Sequence, residues 1–233
     1  MTCKHGDPEV PVVAIDGPVG SGKGTIARRV ASSLGWNLLD SGALYRLVAL
    51  AAVQRGVPED AEGDLAALAG DLSIRFESDI KGDERIFLDG QDVTRELRTE
   101  ECGRVASAVA SLTGVRTALL DVQRAFRKAP GLVADGRDMG ITVFPDAGLK
   151  VYLTASAGER AKRRHKQLKD KGIDVSLPAL SRDIEDRDKR DSERSVAPLK
   201  PAGDARILDS SELTIEEVAQ IILDWVAALE KGT

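Results

Sequence analysis

Residues 10–25 read VPVVAIDGPVGSGKGT, an apolar run followed at once by a glycine-rich loop. The run Val10–Ile15 is apolar at almost every position, as expected for a parallel strand that is buried on both faces. Residues 26–34 then follow a helical pattern. The glycines are therefore predicted at a strand-to-helix turn, where free backbone N–H groups and the positive end of the helix dipole favour a bound phosphate.

The loop at 17–25, called the P loop below, has the composition of a nucleotide-binding turn. Its glycines let the backbone approach phosphate oxygens closely, and Lys23 can reach the β- and γ-phosphates. Lys23 is followed by Gly24, and the hydroxyl comes one residue later at Thr25, so no direct metal ligand is predicted here. The predicted triphosphate-binding residues are Gly17, Pro18, Val19, Gly20, Ser21, Gly22, Lys23, Gly24 and Thr25.

Composition narrows the classes of protein to consider. A chain of 233 residues with 42% hydrophobic and 30% charged residues can form one globular core with insertions. The net charge of −5 argues against a nucleic-acid partner. Cys3 and Cys102 lack metal-ligand or disulfide-framework spacing, and no apolar run reaches membrane-spanning length. We expect a cytoplasmic protein with no membrane partner, and a monomer.

Strand-like and helix-like segments alternate along the chain, which predicts an α/β fold with a central parallel five-stranded sheet flanked by helices. The predicted strands are Val10–Asp16, Asn37–Leu39, Leu132–Asp135, Leu149–Thr154 and Arg206–Leu208. The predicted helices cover residues 22–34, 42–55, 99–111, 115–128, 157–171, 176–193 and 214–230.

One stretch departs from this alternation. Residues 72–93 alternate apolar and polar side chains on both sides of a Gly-Asp turn, which is typical of a small antiparallel hairpin or sheet. We therefore predict a core made of 1–68 and 99–233, interrupted by an insertion at 69–98.

Charged residues follow the predicted strand at 132–135. Ligands of α/β sheets bind at the carboxyl ends of the strands, so Asp135, Arg137 and Asp138 are expected at the active edge. Asp135 can hold a water molecule bound to Mg²⁺, as can Thr25, and Arg137 can clamp a phosphate. Arg46, in the helix after the second strand, can do the same.

Arg187, Arg190 and Arg194 are spaced three and four residues apart, so we expect them on one helix face. Three guanidinium groups on one face repel one another unless an anion lies between them. A phosphate is one such anion. Neutralisation by the nearby carboxylates of Asp186, Asp188 and Asp191 is the alternative.

Six segments together resemble the bacterial cytidylate kinases, which belong to the P-loop nucleoside monophosphate kinases. They are GPVGSGKGT (17–25), LDSGALYR (39–46), VRTALLDVQRAF (115–126), GLVADGRDMG (131–140), RDKRDSERSVAPL (187–199) and ILDSSELT (207–214). The resemblance implies transfer of the γ-phosphoryl group of ATP to CMP or dCMP, with Mg²⁺ as cofactor. It also implies that the insertion at 69–98 binds the monophosphate and that a helical lid lies within 157–196.

The same resemblance assigns residues to the two substrates. It implies that Lys23, Arg137, Arg187 and Arg194 are catalytic. It places around the monophosphate Ser41, Arg46, Ser107, Arg116, Arg137, Asp138, Arg187, Asp191 and Arg194. Asp138 can accept a hydrogen bond from the cytosine amino group, while Ser107 and Arg116 can donate to N3 and O2; uracil reverses part of this pattern.

Three other classes of nucleotide-binding protein also use a P loop. A GTPase needs an Asn-Lys-x-Asp element, and Asn37 is the only asparagine of the chain, so this class is nearly excluded. A sibling kinase acting on AMP, UMP or another small acceptor stays open. A non-catalytic nucleotide sensor would keep the P loop but has no use for a second pocket lined by arginines.

Overall fold

The structure is a computed structural model that describes residues 9–78, 84–170, 175–194 and 196–230. Cys3, the predicted Gly-Asp turn of the insertion and part of the predicted lid lie outside the described residues. The strands are β1 (Val12–Asp16), β2 (Asn37–Asp40), β3 (Ile74–Ser78), β4 (Glu84–Leu88), β5 (Gln91–Asp92), β6 (Leu132–Gly136), β7 (Leu149–Thr154) and β8 (Arg206–Asp209). The helices are α1 (Lys23–Leu34), α2 (Ser41–Arg55), α3 (Glu62–Asp71), α4 (Glu100–Val109), α5 (Thr113–Arg124), α6 (Ala157–Asp170), α7 (Leu177–Glu193) and α8 (Ile215–Glu230).

The predicted central sheet is confirmed. Five strands pair in the order β2-β6-β1-β7-β8, and every pair is parallel. Every residue of β1 and β6 is buried, which explains their continuous apolar sequences. Asp16 at the end of β1 lies opposite Gly136, and Asp40 at the end of β2 lies opposite Asp135. The register therefore brings these carboxylates to one edge of the sheet.

The core around this sheet is formed by the apolar faces of α1 and α8 against the strands. Ile26 and Val30 of α1 are buried together with Val218 and Ile222 of α8. A capping box begins α8: the Thr214 N–H donates to the Glu217 carboxylate at 2.8 Å, and the Glu217 N–H donates to Thr214 Oγ1 at 3.2 Å. This packing fixes α1, which begins at Lys23 directly after the strand-to-helix turn.

The backbone divides into two compact units. One contains the residues up to Asp40 and from Arg124 onward, and the other contains Ser41–Gln123. The antiparallel sheet β3-β4-β5 and the predicted insertion at 69–98 lie inside the second unit. Among the described residues no single helix is long and apolar enough to cross a membrane; α4 and α5 reach that length only together, across a bend of 103°.

Two helices differ from the prediction. Helix α3 was not predicted, because its sequence EGDLAALAGD contains two glycines and no side-chain cap; burial of Leu65 and Leu68 stabilises it. Helix α5 ends at Arg124 and not near residue 128. Its last predicted turn is replaced by a bend that lets the Arg127 Nε donate to the Val10 carbonyl at 2.8 Å.

Candidate active site

The P loop follows β1 and lies against two neighbouring elements. At Gly17 a Cβ would lie 2.0 Å from the carbonyl oxygen of Leu153 in β7, and the φ angle is +151°. At Gly20, with φ +77°, a Cβ would lie 3.1 Å from the Cβ of Arg160 in α6. Glycine is required at Gly17 because the chain passes too close to β7 for a side chain, and it is favoured at Gly20 by the positive φ angle together with the close approach of α6.

Lys23 is the first residue of α1, and its side chain lies inside the loop. The residue is 6% exposed, and its Nζ donates to the Pro18 carbonyl at 2.8 Å. Burial lowers the pKa of Lys23, and the positive charges of Arg137 and Arg187 lower it further. Lys23 therefore lies close enough to Arg137 and Arg187 to be repelled by both, while the carboxylates of Asp135 and Asp16 partly offset this repulsion.

Two buried carboxylates accompany Lys23. Asp16 accepts hydrogen bonds from the Met139 N–H at 2.8 Å and the Gly140 N–H at 2.9 Å, and so holds the turn after β6. Burial raises the pKa of Asp16 to about 6 in spite of these two hydrogen bonds. Burial also raises the pKa of Asp135. A Cβ at Gly24 would lie 3.3 Å from the Asp135 Oδ2, so glycine at this position leaves room for the carboxylate beside the loop.

The raised pKa of Asp16 predicts how stability depends on pH. A carboxyl group with a higher pKa in the folded than in the unfolded state stabilises the fold fully below the unfolded pKa and loses this contribution as pH rises through the folded pKa. Between pH 7.5 and 5 we expect the free energy of unfolding of the wild type to rise by about 1–2 kcal/mol relative to the Asp16→Asn variant. Urea unfolding of both proteins at the two pH values measures this, and a pH-independent difference contradicts it.

The turn after β6 carries the predicted acceptor-site charges. Asp138 is 3% exposed, and its carbonyl oxygen accepts from the Thr142 N–H at 2.8 Å. Arg137 is half-buried, and its Nε donates to the Asp191 Oδ2 of α7 at 3.1 Å. The structure thus brings Arg137 and Asp191 together, although they are far apart in the sequence.

The three arginines near residue 190 do not share one helix face, so that prediction is wrong. Helix α7 ends at Glu193, and Arg194 follows it in an extended conformation with its Nε donating to the Ala197 carbonyl at 2.5 Å. Arg187 is half-buried, whereas Arg190 is exposed and donates to the Asp186 carbonyl at 3.3 Å. The prediction assumed that the helix continues through Arg194. Because α7 ends at Glu193, the helical spacing does not extend to that residue.

The second unit contains the remaining predicted acceptor residues. Ser41 is buried at the start of α2. Arg46 donates to the carbonyl oxygens of Leu97 at 2.7 Å and Thr99 at 3.1 Å. Ser107 lies on α4, and its buried hydroxyl has no hydrogen-bond partner among the residues described. A buried hydroxyl without a hydrogen-bond partner costs folding free energy, so a polar atom of a ligand is a candidate for its partner.

Arg116 on α5 completes this group. Its guanidinium lies 5.9 Å from the centre of the Tyr45 ring and donates to the Ala110 carbonyl at 3.3 Å. These contacts orient the side chain from within its own unit.

Sequence reasoning missed four residues that support the P loop or the turn after β6: Asp16, Arg160, Arg163 and Ser210. Arg163 of α6 donates to the carbonyl oxygens of Ser210 and of Ser21 in the P loop. Arg160 donates to the Val19 carbonyl at 3.0 Å. For the two arginines the signal was the run of basic residues within 160–171, whose spacing does not indicate which arginines turn toward the loop; Asp16 and Ser210 lie in segments that the sequence analysis quoted for other reasons.

Comparison with known proteins gives consistent matches along the chain. The family model described as cytidylate kinase matches residues 13–228. The cytidylate kinase of Pseudomonas aeruginosa is 60% identical over 215 residues, which are 92% of this chain and 94% of that protein. Those of Methylococcus capsulatus (57%, covering 93% and 97%) and Nitrosococcus oceani (56%, covering 94% and 97%) are similar to a comparable degree.

Proposed function

This chain belongs to the cytidylate kinase family, which phosphorylates CMP and dCMP with ATP, and we propose which of its residues carry that reaction. The observation that carries the proposal is the position of Lys23. It is buried inside the P loop, and the charges of Arg137 and Arg187 act on it beside the carboxylates of Asp135 and Asp16. Cations collected in a buried site suit a ligand with several negative charges.

The chemical role of these cations follows from the reaction. Transfer of a phosphoryl group needs alignment of donor and acceptor and neutralisation of charge on the transferring oxygens. We assign this neutralisation to Lys23, Arg137, Arg187 and Arg194. No general base is needed, because the acceptor phosphate of CMP is already ionised. The backbone N–H groups of residues 17–25 bind the phosphates of ATP.

The proposed contacts of the acceptor include neutral and acidic side chains as well as arginines. We propose that Asp138 accepts from the cytosine amino group and that Ser107 and Arg116 donate to the ring acceptors. The unpaired buried hydroxyl of Ser107 supports this assignment. The other proposed contacts of the monophosphate are Ser41, Arg46, Asp191 and the arginines Arg137, Arg187 and Arg194.

The residues present fit Mg²⁺ held partly by the substrate. Among the described residues no group of three or more His, Cys, Asp and Glu side chains could hold a metal ion by itself. Mg²⁺ in kinases commonly binds through one or two carboxylates, water and phosphate oxygens, and the Asp135 carboxylate lies beside the P loop for such a role. When bound, the ion neutralises phosphate charge. Thr25 is exposed at the same turn and is the other candidate, through water.

Three further expectations belong to the same proposal. We propose that α6 and α7 form the lid that excludes water once both nucleotides are bound, because ATP would otherwise be hydrolysed. We also propose that the protein acts as a monomer in the cytoplasm, without a nucleic-acid partner.

A panel of acceptors tests the proposed function. We expect ADP production from ATP with CMP and dCMP to be at least tenfold faster, in kcat/KM, than with UMP, AMP or GMP, since only cytosine matches the proposed polar contacts. A coupled assay for ADP with each monophosphate measures this, with a reaction lacking acceptor as control. Faster turnover with another monophosphate would show a kinase specific for that acceptor. Nucleotide binding without ADP production would favour a non-catalytic nucleotide sensor.

A further inference from the structure

Arg160 of α6, which supports the P loop, also contacts other parts of the first unit. The residue is 5% exposed. Its Nε donates to the Ala155 carbonyl at 3.0 Å, and its Nη1 donates to the Val19 carbonyl of the P loop at 3.0 Å. Gly20 also lies against this side chain, so α6 contacts the P loop at two neighbouring residues, Val19 and Gly20.

The same guanidinium forms a two-pronged ion pair with Asp188 of α7. The Nη1–Oδ1 distance is 3.0 Å and the Nη2–Oδ2 distance is 2.5 Å. The Asp188 side chain is 27% exposed and that of Arg160 is 6% exposed, so the pair is largely shielded from water. A bidentate pair of this kind fixes orientation as well as distance, which a lysine or a single contact does not.

Asp188 lies on α7 between Arg187 and Asp191, two residues proposed to act in the site. Arg187, proposed above as a catalytic cation, is its neighbour in the chain. Asp191, one turn later, pairs with Arg137 at 3.1 Å. Two ion pairs, spaced three residues apart, therefore set the rotation of α7 about its axis, and this rotation determines where the Arg187 guanidinium lies.

We propose that Arg160 is a positioning residue for phosphoryl transfer, which holds α7 through Asp188 in a fixed orientation relative to the P loop once the lid is closed. The inference rests on the proposed function, because it requires Arg187 to act on the transferring phosphoryl group. Arg160 itself touches no reacting atom in this role. Loss of the pair leaves the P loop able to bind ATP but lets Arg187 occupy many orientations, so the step between bound substrates slows.

The test compares Asp188→Asn, Arg160→Lys and the double variant. Asparagine keeps the size of Asp188 but removes its charge, and lysine keeps the charge of Arg160 but loses the fork. We expect Asp188→Asn to lower kcat with CMP about tenfold or more while KM for ATP changes less than about threefold. Arg160→Lys should lower kcat at least as far, and because Arg160 also donates to the Val19 carbonyl its KM for ATP is not the criterion. Since both act through one pair, the double variant should lose little more activity than the worse single variant.

Controls separate positioning from a loss of folded protein. Turnover is expressed per ATP-binding site, determined by titration with a fluorescent ATP analogue, because a purely structural defect lowers the number of sites but not turnover per site. Asp183→Asn changes an exposed carboxylate of the same helix and should keep the kcat of the wild type. If Arg160→Lys does not fold, Asp188→Asn alone is the test, because the Asp188 side chain is partly exposed and its replacement is better tolerated by the fold.

Two results would overturn the inference. Unchanged turnover per site in Asp188→Asn does so, and so do losses that multiply in the double variant. In either case a wild type active with CMP leaves the proposed function standing. A wild type that does not phosphorylate CMP overturns both, and this is seen before any variant is compared.

Discussion

Replacement of Lys23 with methionine is expected to lower kcat with CMP a few hundredfold, because loss of one charge contact that develops in the transition state typically costs about 3–4 kcal/mol. The melting temperature should not fall. The ammonium group is buried and its pKa is lowered by burial, so its charge destabilises the empty protein. Methionine has similar length and no charge to desolvate. Steady-state rates and thermal unfolding of the two proteins measure both effects.

The matched control is Lys166→Met, which removes an exposed lysine from α6. It should leave kcat within about twofold of the wild type, since replacing an exposed side chain that contacts neither substrate nor core changes activity and stability little. A Lys23→Met enzyme that retains more than half of the wild-type rate would exclude the P loop as the site of the transferring phosphate. A large drop in its melting temperature would show that Lys23 supports the fold.

The central sheet was predictable because each strand carries its own local signal. The apolar runs that end in Asp16 and Asp135 indicate strands buried on both faces, and the P loop indicates where the first strand turns into a helix. Helix α3 has no comparable signal. Its glycines lower helix propensity, and burial of Leu65 and Leu68 in the folded unit stabilises it.

The candidate site was predictable as a set of residue types but not as a set of contacts. The sequence places Arg137 and Asp138 at the end of a strand, yet the ion pair between Arg137 and Asp191 depends on how α7 packs. The same holds for Arg160, which is one of several basic residues on α6 until the fold turns it toward Val19. Contacts of this kind arise from tertiary packing, which neither spacing nor periodicity contains.

Asp138→Ala is expected to reduce the preference for CMP over UMP, measured as the ratio of the two kcat/KM values, by about ten- to a hundredfold. Asp138 is almost completely buried, so a carboxylate that faced the O4 of uracil would lose its hydration without gaining a donor. Alanine removes this penalty for UMP and the hydrogen bond to the amino group of CMP. The KM for ATP should change little, because the P loop and Lys23 are untouched.

Asp138→Asn sharpens the test, since an amide of the same shape can donate to O4 through its NH₂ group. If Asp138 contacts the base, UMP should gain more in the asparagine variant than in the alanine variant. Asp183→Ala, an exposed carboxylate on α7, is the control and should keep the wild-type ratio. A ratio that stays unchanged in both Asp138 variants, with kcat falling equally for CMP and UMP, would instead assign Asp138 to the turn after β6.

The neighbouring Asp16 already holds that turn by two backbone hydrogen bonds, and the Asp138 charge raises the pKa of Asp16. Removal of the Asp138 charge should lower the pKa of Asp16 whichever role Asp138 has, and a pH titration of stability measures this separately from the base preference.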